Sequence, residues 1–154
     1  MVQLTRRRLL ALGGDLAWGE ATVAAGLRLH AHVPYPQQPE RWATAQRARW
    51  RALVNQADAT TVYDDLDQAD GPRSRLATRL LHARNDGMLD RAVVLVAIWT
   101  PQRPRGGTWS AVRKAHKRGL PIVWLDPQEQ RTCMPRAERV GELLELAPVP
   151  SHAR

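Results

Sequence analysis

Two glycine pairs stand where an apolar run of strand length gives way to a helical segment: Gly13-Gly14, and Gly106-Gly107 followed by Thr108. Glycine accepts positive φ and lets an anion approach the backbone, and the helix start behind it offers unpaired N–H groups at the positive end of the dipole. A turn of this kind holds phosphate. Thr108 is placed to cap the following helix or to donate a hydroxyl hydrogen bond, and Trp109 beside it offers a ring on which a base can stack. Each pair alone reads more readily as an ordinary turn; two at one edge of a sheet shift the balance toward a ligand site. Arg84, in the run Arg84-Asn85-Asp86-Gly87-Met88-Leu89-Asp90, adds a planar fork suited to phosphate, although its spacing also fits a solvated arginine.

The elements that must position these residues follow from periodicity. Apolar stretches of strand length fall at Arg8 to Leu12, Leu29 to Pro34, Ala59 to Tyr63, Ala92 to Trp99 and Pro121 to Leu125. Each pair leaves room for one helix, the alternation of a parallel sheet with crossover helices. The fourth run, Val93-Val94-Leu95-Val96-Ala97-Ile98-Trp99, is continuously apolar, as a strand covered on both faces should be. Helices are expected over residues 16–28, Pro39 to Ala57, Pro72 to Arg91, Thr108 to Arg118 and Arg136 to Leu146. In the third, Leu76, Leu80, Leu81, Met88 and Leu89 form an apolar face with arginines on the other side. Gly119 followed by Pro121 reads as a helix stop and strand entry. The expected fold class is α/β, a Rossmann-like three-layer sandwich whose mostly parallel sheet has about five strands with helices on both faces. A single domain over residues 1–147 and a loose tail over 148–154 complete the organisation.

The chain has 154 residues with 44% apolar and 25% charged side chains, inside the globular range. Its formal charge of +8 points to an anionic partner, but the arginines are spread along the chain rather than gathered in one stripe. Cys133 is the lone cysteine, which excludes an intramolecular disulfide or a multi-cysteine metal site and fits a cytoplasmic setting. The five histidines show no metal-ligand spacing beyond His30 and His32, which flank one residue of a strand, so ordinary surface or strand roles are expected and no metal or cofactor. Thr5-Arg6-Arg7-Arg8-Leu9-Leu10 carries the paired arginines of an export signal. Gly13, Gly14, Asp15 and Glu20 break the apolar stretch behind it, so the segment reads as a first strand. No run reaches the roughly 20 apolar residues of a membrane helix.

An ordered set of motifs resembles the YpsA-like members of the SLOG superfamily over residues 12 to 126. It comprises Gly13-Gly14-x-Leu16, Pro34-Tyr35-Pro36, Glu40-Arg41-Trp42, Ala57-Asp58, Arg84-Asn85-x-x-Met88-x-Asp90-x-Ala92, the apolar strand to Trp99, Gly106-Gly107-Thr108 and Val112. The resemblance implies a Rossmann-like domain that binds nucleotides or their derivatives, as in DprA proteins and LOG-type phosphoribohydrolases, and a homodimer. It implies ligand contact by Gly13, Gly14, Gly106, Gly107 and Thr108 with Arg84 nearby, and further candidate contacts at Asp15, Glu20, Arg41, Trp109 and Ser110. Only twelve residues precede Gly13, so the additional strand and helix with which the family begins have no counterpart. Gly19 stands where the family commonly has an aspartate, and Glu20 follows it.

LOG-type enzymes follow the second glycine turn with a glutamate pair, and a carboxylate is the group that assists N-glycosidic cleavage. Ser110 occupies the first of those positions here and cannot play that part. The reading is therefore a nucleotide-binding module with no assigned catalytic group. A LOG-like hydrolase using Glu20, Asp15 or Asp126 instead is the alternative, and so is a DprA-like nucleic-acid binder. The latter is not favoured, because phenylalanine is absent and the six tryptophans fall on elements expected to pack inward.

Overall fold

Alternating apolar and small residues at Leu29, Ala31 and Val33 set up the first sheet, and all five residues of that strand are buried. The computed structural model describes residues 7–9, 14–66, 74–99, 106–126, 131–135 and 137–145. The element order is β1 (Arg7–Leu9), α1 (Gly14–Ala24), β2 (Leu29–Val33), α2 (Thr44–Gln56), β3 (Ala59–Val62), α3 (Arg75–Leu89), β4 (Leu95–Ile98), α4 (Gly107–Lys117), β5 (Ile122–Asp126), β6 (Arg131–Cys133) and α5 (Ala137–Glu145). The chain divides into two compact units whose boundary falls between Met88 and Leu89.

In the first unit β1, β2 and β3 form a parallel sheet with β2 in the middle, His32 facing Thr61 and Val33 facing Val62 in register. Alternation sends Leu29 and Ala31 to one face, where they pack with Leu16 of α1 and Leu53 of α2. His30 and His32 point to the other. α3 reaches that side through Tyr63, and its Ala77 and Leu80 join Tyr35 and Leu66 in a second apolar cluster. Ser74 caps α3, its Oγ accepting from the Ala77 N–H at 3.0 Å.

In the second unit β5 lies between β4, parallel to it, and β6, antiparallel to it. Ala97, Trp99, Val112, Ala115, Ile122, Trp124 and Val140 build one apolar core from β4, α4, β5 and α5. The expected stop after α4 is a left-handed Gly119 at φ +66°, with the Gly119 N–H bonded to the His116 carbonyl and the Leu120 N–H to that of Ala115.

Three expectations need correction. The fold is mixed α/β with five helices, but the described strands form two three-stranded sheets rather than the one mostly parallel sheet of about five strands expected, and the short β6 adds an antiparallel strand beside β5. β4 is not covered on both faces: Ala97 is buried but Ile98, on the opposite side of the strand, is 42% exposed. α1 ends at Ala24 rather than at residue 28, where Gly26 adopts φ +64°. Residues 10–13, including Gly13, and the tail 148–154 lie outside the described residues. Among those described, no helix is long and apolar enough to cross a membrane.

Candidate functional site

The carboxyl ends of β2 and β3 carry two tyrosines: Tyr35 lies two residues past the end of β2, and Tyr63 directly follows β3. This is the rim at which parallel sheets bind ligands. α1 brings Asp15 there in its first turn, a favourable place for a carboxylate against the helix dipole, and α3 brings Arg84 and Asn85. Arg84 is only 6% exposed. Its Nη1 lies 3.6 Å from Asp15 Oδ2, a Coulombic contact longer than a hydrogen bond. Its Nε and Nη2 both donate to Asn85 Oδ1, at 3.2 and 2.8 Å.

Burial pushes the Arg84 pKa down, while the charge of Asp15 and the phenols of Tyr63 and Tyr35 pull it back up. Burial likewise pushes the Tyr35 phenol up, with Arg84 pulling against it. A guanidinium does not give up its proton in a protein, so this rim holds a desolvated fixed cation beside a carboxylate.

The polar constellation continues beneath the rim. His32 Nδ1 lies 2.8 Å from Tyr63 Oη, and His30 Nε2 lies 2.8 Å from Thr61 Oγ1. The two imidazoles face one another with ring centroids 4.5 Å apart. Tyr63 also sets a requirement on α3, because a Cβ at Gly87 would stand 1.9 Å from its hydroxyl oxygen. Only glycine fits under that phenol.

The second unit presents the other turn. Gly106 is the N-cap of α4 at φ +93° and ψ −179°, a conformation open essentially to glycine alone. Gly106, Gly107 and Thr108 are exposed, and no side chain caps the helix. Thr108 is therefore not the cap residue: Gly106 holds that position and Thr108 falls inside the first turn. Ser110 returns its N–H to the Gly106 carbonyl at 3.2 Å. Trp109 packs against the apolar core with the Arg113 guanidinium 4.6 Å over its ring, so that face already holds a cation.

Within the first unit the structure brings Arg84 beside Asp15, the neighbour of Gly14. Gly106, Gly107, Thr108, Trp109 and Ser110 belong to the second unit. Glu20 is taken up elsewhere: Arg49 of α2 grips both its oxygens at 2.6 and 2.7 Å, and that hydrogen bonding, opposed by desolvation and aided by the arginine charge, holds its carboxyl below the usual range. Arg41 is exposed ahead of α2. The solvated reading of Arg84 is overturned, since tertiary packing closes over it. Sequence reasoning missed Tyr63 and His32 as members of the site. Their signal was the period of two: His30 and His32 share one face of β2, while Thr61 and Tyr63 alternate on its neighbour.

Among the described residues no three His, Cys, Asp or Glu side chains gather as a metal ion requires. Comparison of the chain with protein-family models gives no match, and comparison with curated proteins gives none either.

Proposed function

We propose that this chain is a nucleotide-binding module, taking a phosphorylated nucleoside or a derivative of one, with the first unit's sheet rim as the principal site. The observation that carries the reading is the buried Arg84, held by Asn85 and Asp15 at the carboxyl ends of β2 and β3. Burying a charge contributes little or nothing to stability compared with apolar packing, so a cation fixed at the ligand rim of a parallel sheet is best understood through what it binds. Asp15 supplies an acceptor suited to a sugar hydroxyl, and the overall charge of +8 favours an anionic ligand. The motif order resembling the SLOG superfamily supports the same class of ligand. The exposed glycine cap of α4 supplies a second anion-binding turn.

Thermal-shift measurement against nucleoside mono-, di- and cyclic phosphates tests this directly. Saturable stabilisation by at least one of them is expected, with no turnover. A melting temperature unmoved across the whole panel overturns the reading.

A further inference from the structure

β2 sends two imidazoles to the same side of its sheet, and both are shut away from water: His30 is 7% exposed and His32 2%. Their ring centroids are 4.5 Å apart with 36° between the ring planes, so the rings stack on one another. Each is tied to the neighbouring strand through a hydroxyl, His30 Nε2 to Thr61 Oγ1 and His32 Nδ1 to Tyr63 Oη, both at 2.8 Å. α3 closes on the same phenol at Gly87.

Charged and titratable groups face the pair from the elements around it. α3 brings the Arg84 guanidinium, close enough to the Tyr63 and Tyr35 phenols for their charges to interact, and the half-buried Asp86 beside Gly87. α1 brings Asp15, which lies 3.6 Å from Arg84. At the amino ends of the strands Asp58 and Arg28 line a shallow cleft with His30, and the Asp58 carboxylate is engaged by Arg28 at 3.6 Å and by the Leu29 N–H at 2.8 Å. Whichever ring takes up a proton, the new cation lies in a desolvated interior, stacked 4.5 Å from a second imidazole and on the side of the sheet that already holds Arg84. Burial and the like charge both disfavour it.

We propose that His30 and His32 form an acid-operated latch on the first unit: the closed sheet holds both rings neutral, and proton uptake parts Tyr63 from His32 and loosens α3 from β2 and β3. The latch acts with or without a ligand at the rim. An opened chain binds protons on these rings below the ordinary histidine pKa of about 6.5, while the closed one does not. Closure is therefore fully favoured above that pH and weakens as pH falls through it. Two protons taken up together raise the opening constant about a hundredfold per pH unit, against about tenfold for one. Arg84 stays charged throughout.

Hydrogen exchange of the whole chain, resolved by peptide and corrected for the intrinsic pH dependence of exchange, tests the latch between about pH 7.5 and 5, which spans the histidine range. Peptides covering β2, β3 and α3 should open between about tenfold and a hundredfold more per pH unit once below that range, and His30→Gln combined with His32→Gln should remove this dependence. Imidazole Cε1–H resonances of the unaltered protein supply a second measurement: those of His30 and His32 should keep neutral-ring shifts down to the pH at which the peptides open. Either ring titrating while the peptides stay closed overturns the proposal. So do peptides that stay closed across the whole range, opening equally steep in the double variant, and opening that lessens in acid, as a carboxylate such as Asp86 holding an imidazolium would give. If the double variant does not fold, the imidazole resonances and exchange of the unaltered protein decide together.

Discussion

The two units fill their interiors in opposite ways. In the first, Thr22, His30, His32, Arg84 and Asn85 are all 7% exposed or less, whereas Asp126, at 8%, is the one buried polar residue among those described in the second. The second unit instead closes around Trp99, Trp124 and six smaller apolar side chains. Apolar burial stabilises at roughly 25 cal/mol per Å², while each buried polar group must recover its lost hydration through a partner. The second unit is thus built as a core. The first carries a polar interior that stability does not call for, concentrated on the side of the sheet where His32, Tyr63 and α3 meet. The contrast is what the proposed assignment of the site to the first unit rests on.

The strongest way to break this comparison is Arg84→Met. Removing the cation takes one partner from Asp15 and one from Asn85, and loss of one member of a buried pair costs about 3 kcal/mol. Phosphate-ester binding should fall at least about a hundredfold, the worth of a charge-assisted bidentate contact. Hydrogen exchange resolved by peptide should place the loosening in residues before the boundary at Met88. Full retention of ligand affinity would show that the buried cation is structural.

Trp124→Phe sharpens the comparison from the other side. It deletes the indole N–H that donates to the Trp99 carbonyl at 2.7 Å and leaves a small void in the core, together about 2 kcal/mol. Exchange should rise in the second unit while ligand affinity stays unchanged. Equal loss in both properties would contradict the division of labour.

Much of this was readable in advance, for identifiable reasons. Gly119 and Pro121 placed the end of α4 because few other residues serve a left-handed turn followed at once by a strand. The β2 register was written in the alternation of Leu29, Ala31 and Val33 against His30 and His32. By contrast, β6 is three residues, Arg131-Thr132-Cys133, too short for any period to declare itself. α2 begins at Thr44 rather than Pro39, because residues 35–42 spend their hydrogen bonds in turns such as Trp42 N–H to the Pro39 carbonyl. The burial of Arg84 was missed for a different reason. Arg84 lies four residues after Leu80 and four before Met88, on the apolar face of α3 itself, and its charge rather than its place on the helix governed the reading. Gly87 within α3 is a clearance for Tyr63.

Gly106→Ala asks whether the second unit contributes to binding at all. Nothing lies within 4 Å of a Cβ placed there, so the whole effect is conformational, about 1 to 2 kcal/mol for a φ of +93° in a region that side chains avoid. The melting temperature should fall by a few degrees. If the exposed cap of α4 also holds phosphate, affinity falls several-fold alongside; if affinity is untouched, the Arg84 rim acts alone and the contrast between the units becomes absolute.

The smallest effect belongs to Glu20→Gln, which also separates the binding reading from a hydrolase that would use this acid. Glu20 and Arg49 join α1 to α2 with 42% and 46% of their side chains exposed, so solvent screens the pair and the melting temperature at pH 7 should drop by about a degree. The sign with pH is fixed by the lowered Glu20 pKa: the folded state binds fewer protons than the unfolded one in this range, so the pair's contribution is complete above the ordinary carboxylate pKa and disappears as pH falls through the lowered one. Melting curves of the two proteins should therefore converge in acid, once the pH has fallen below the ordinary carboxylate range. Ligand affinity should be the same for both at neutral pH, because Arg49 already occupies both Glu20 oxygens. Release of free base from a nucleoside monophosphate by the unaltered protein, abolished in Glu20→Gln, would move the chemistry to the α1–α2 surface and overturn the assignment of the site to the Arg84 rim.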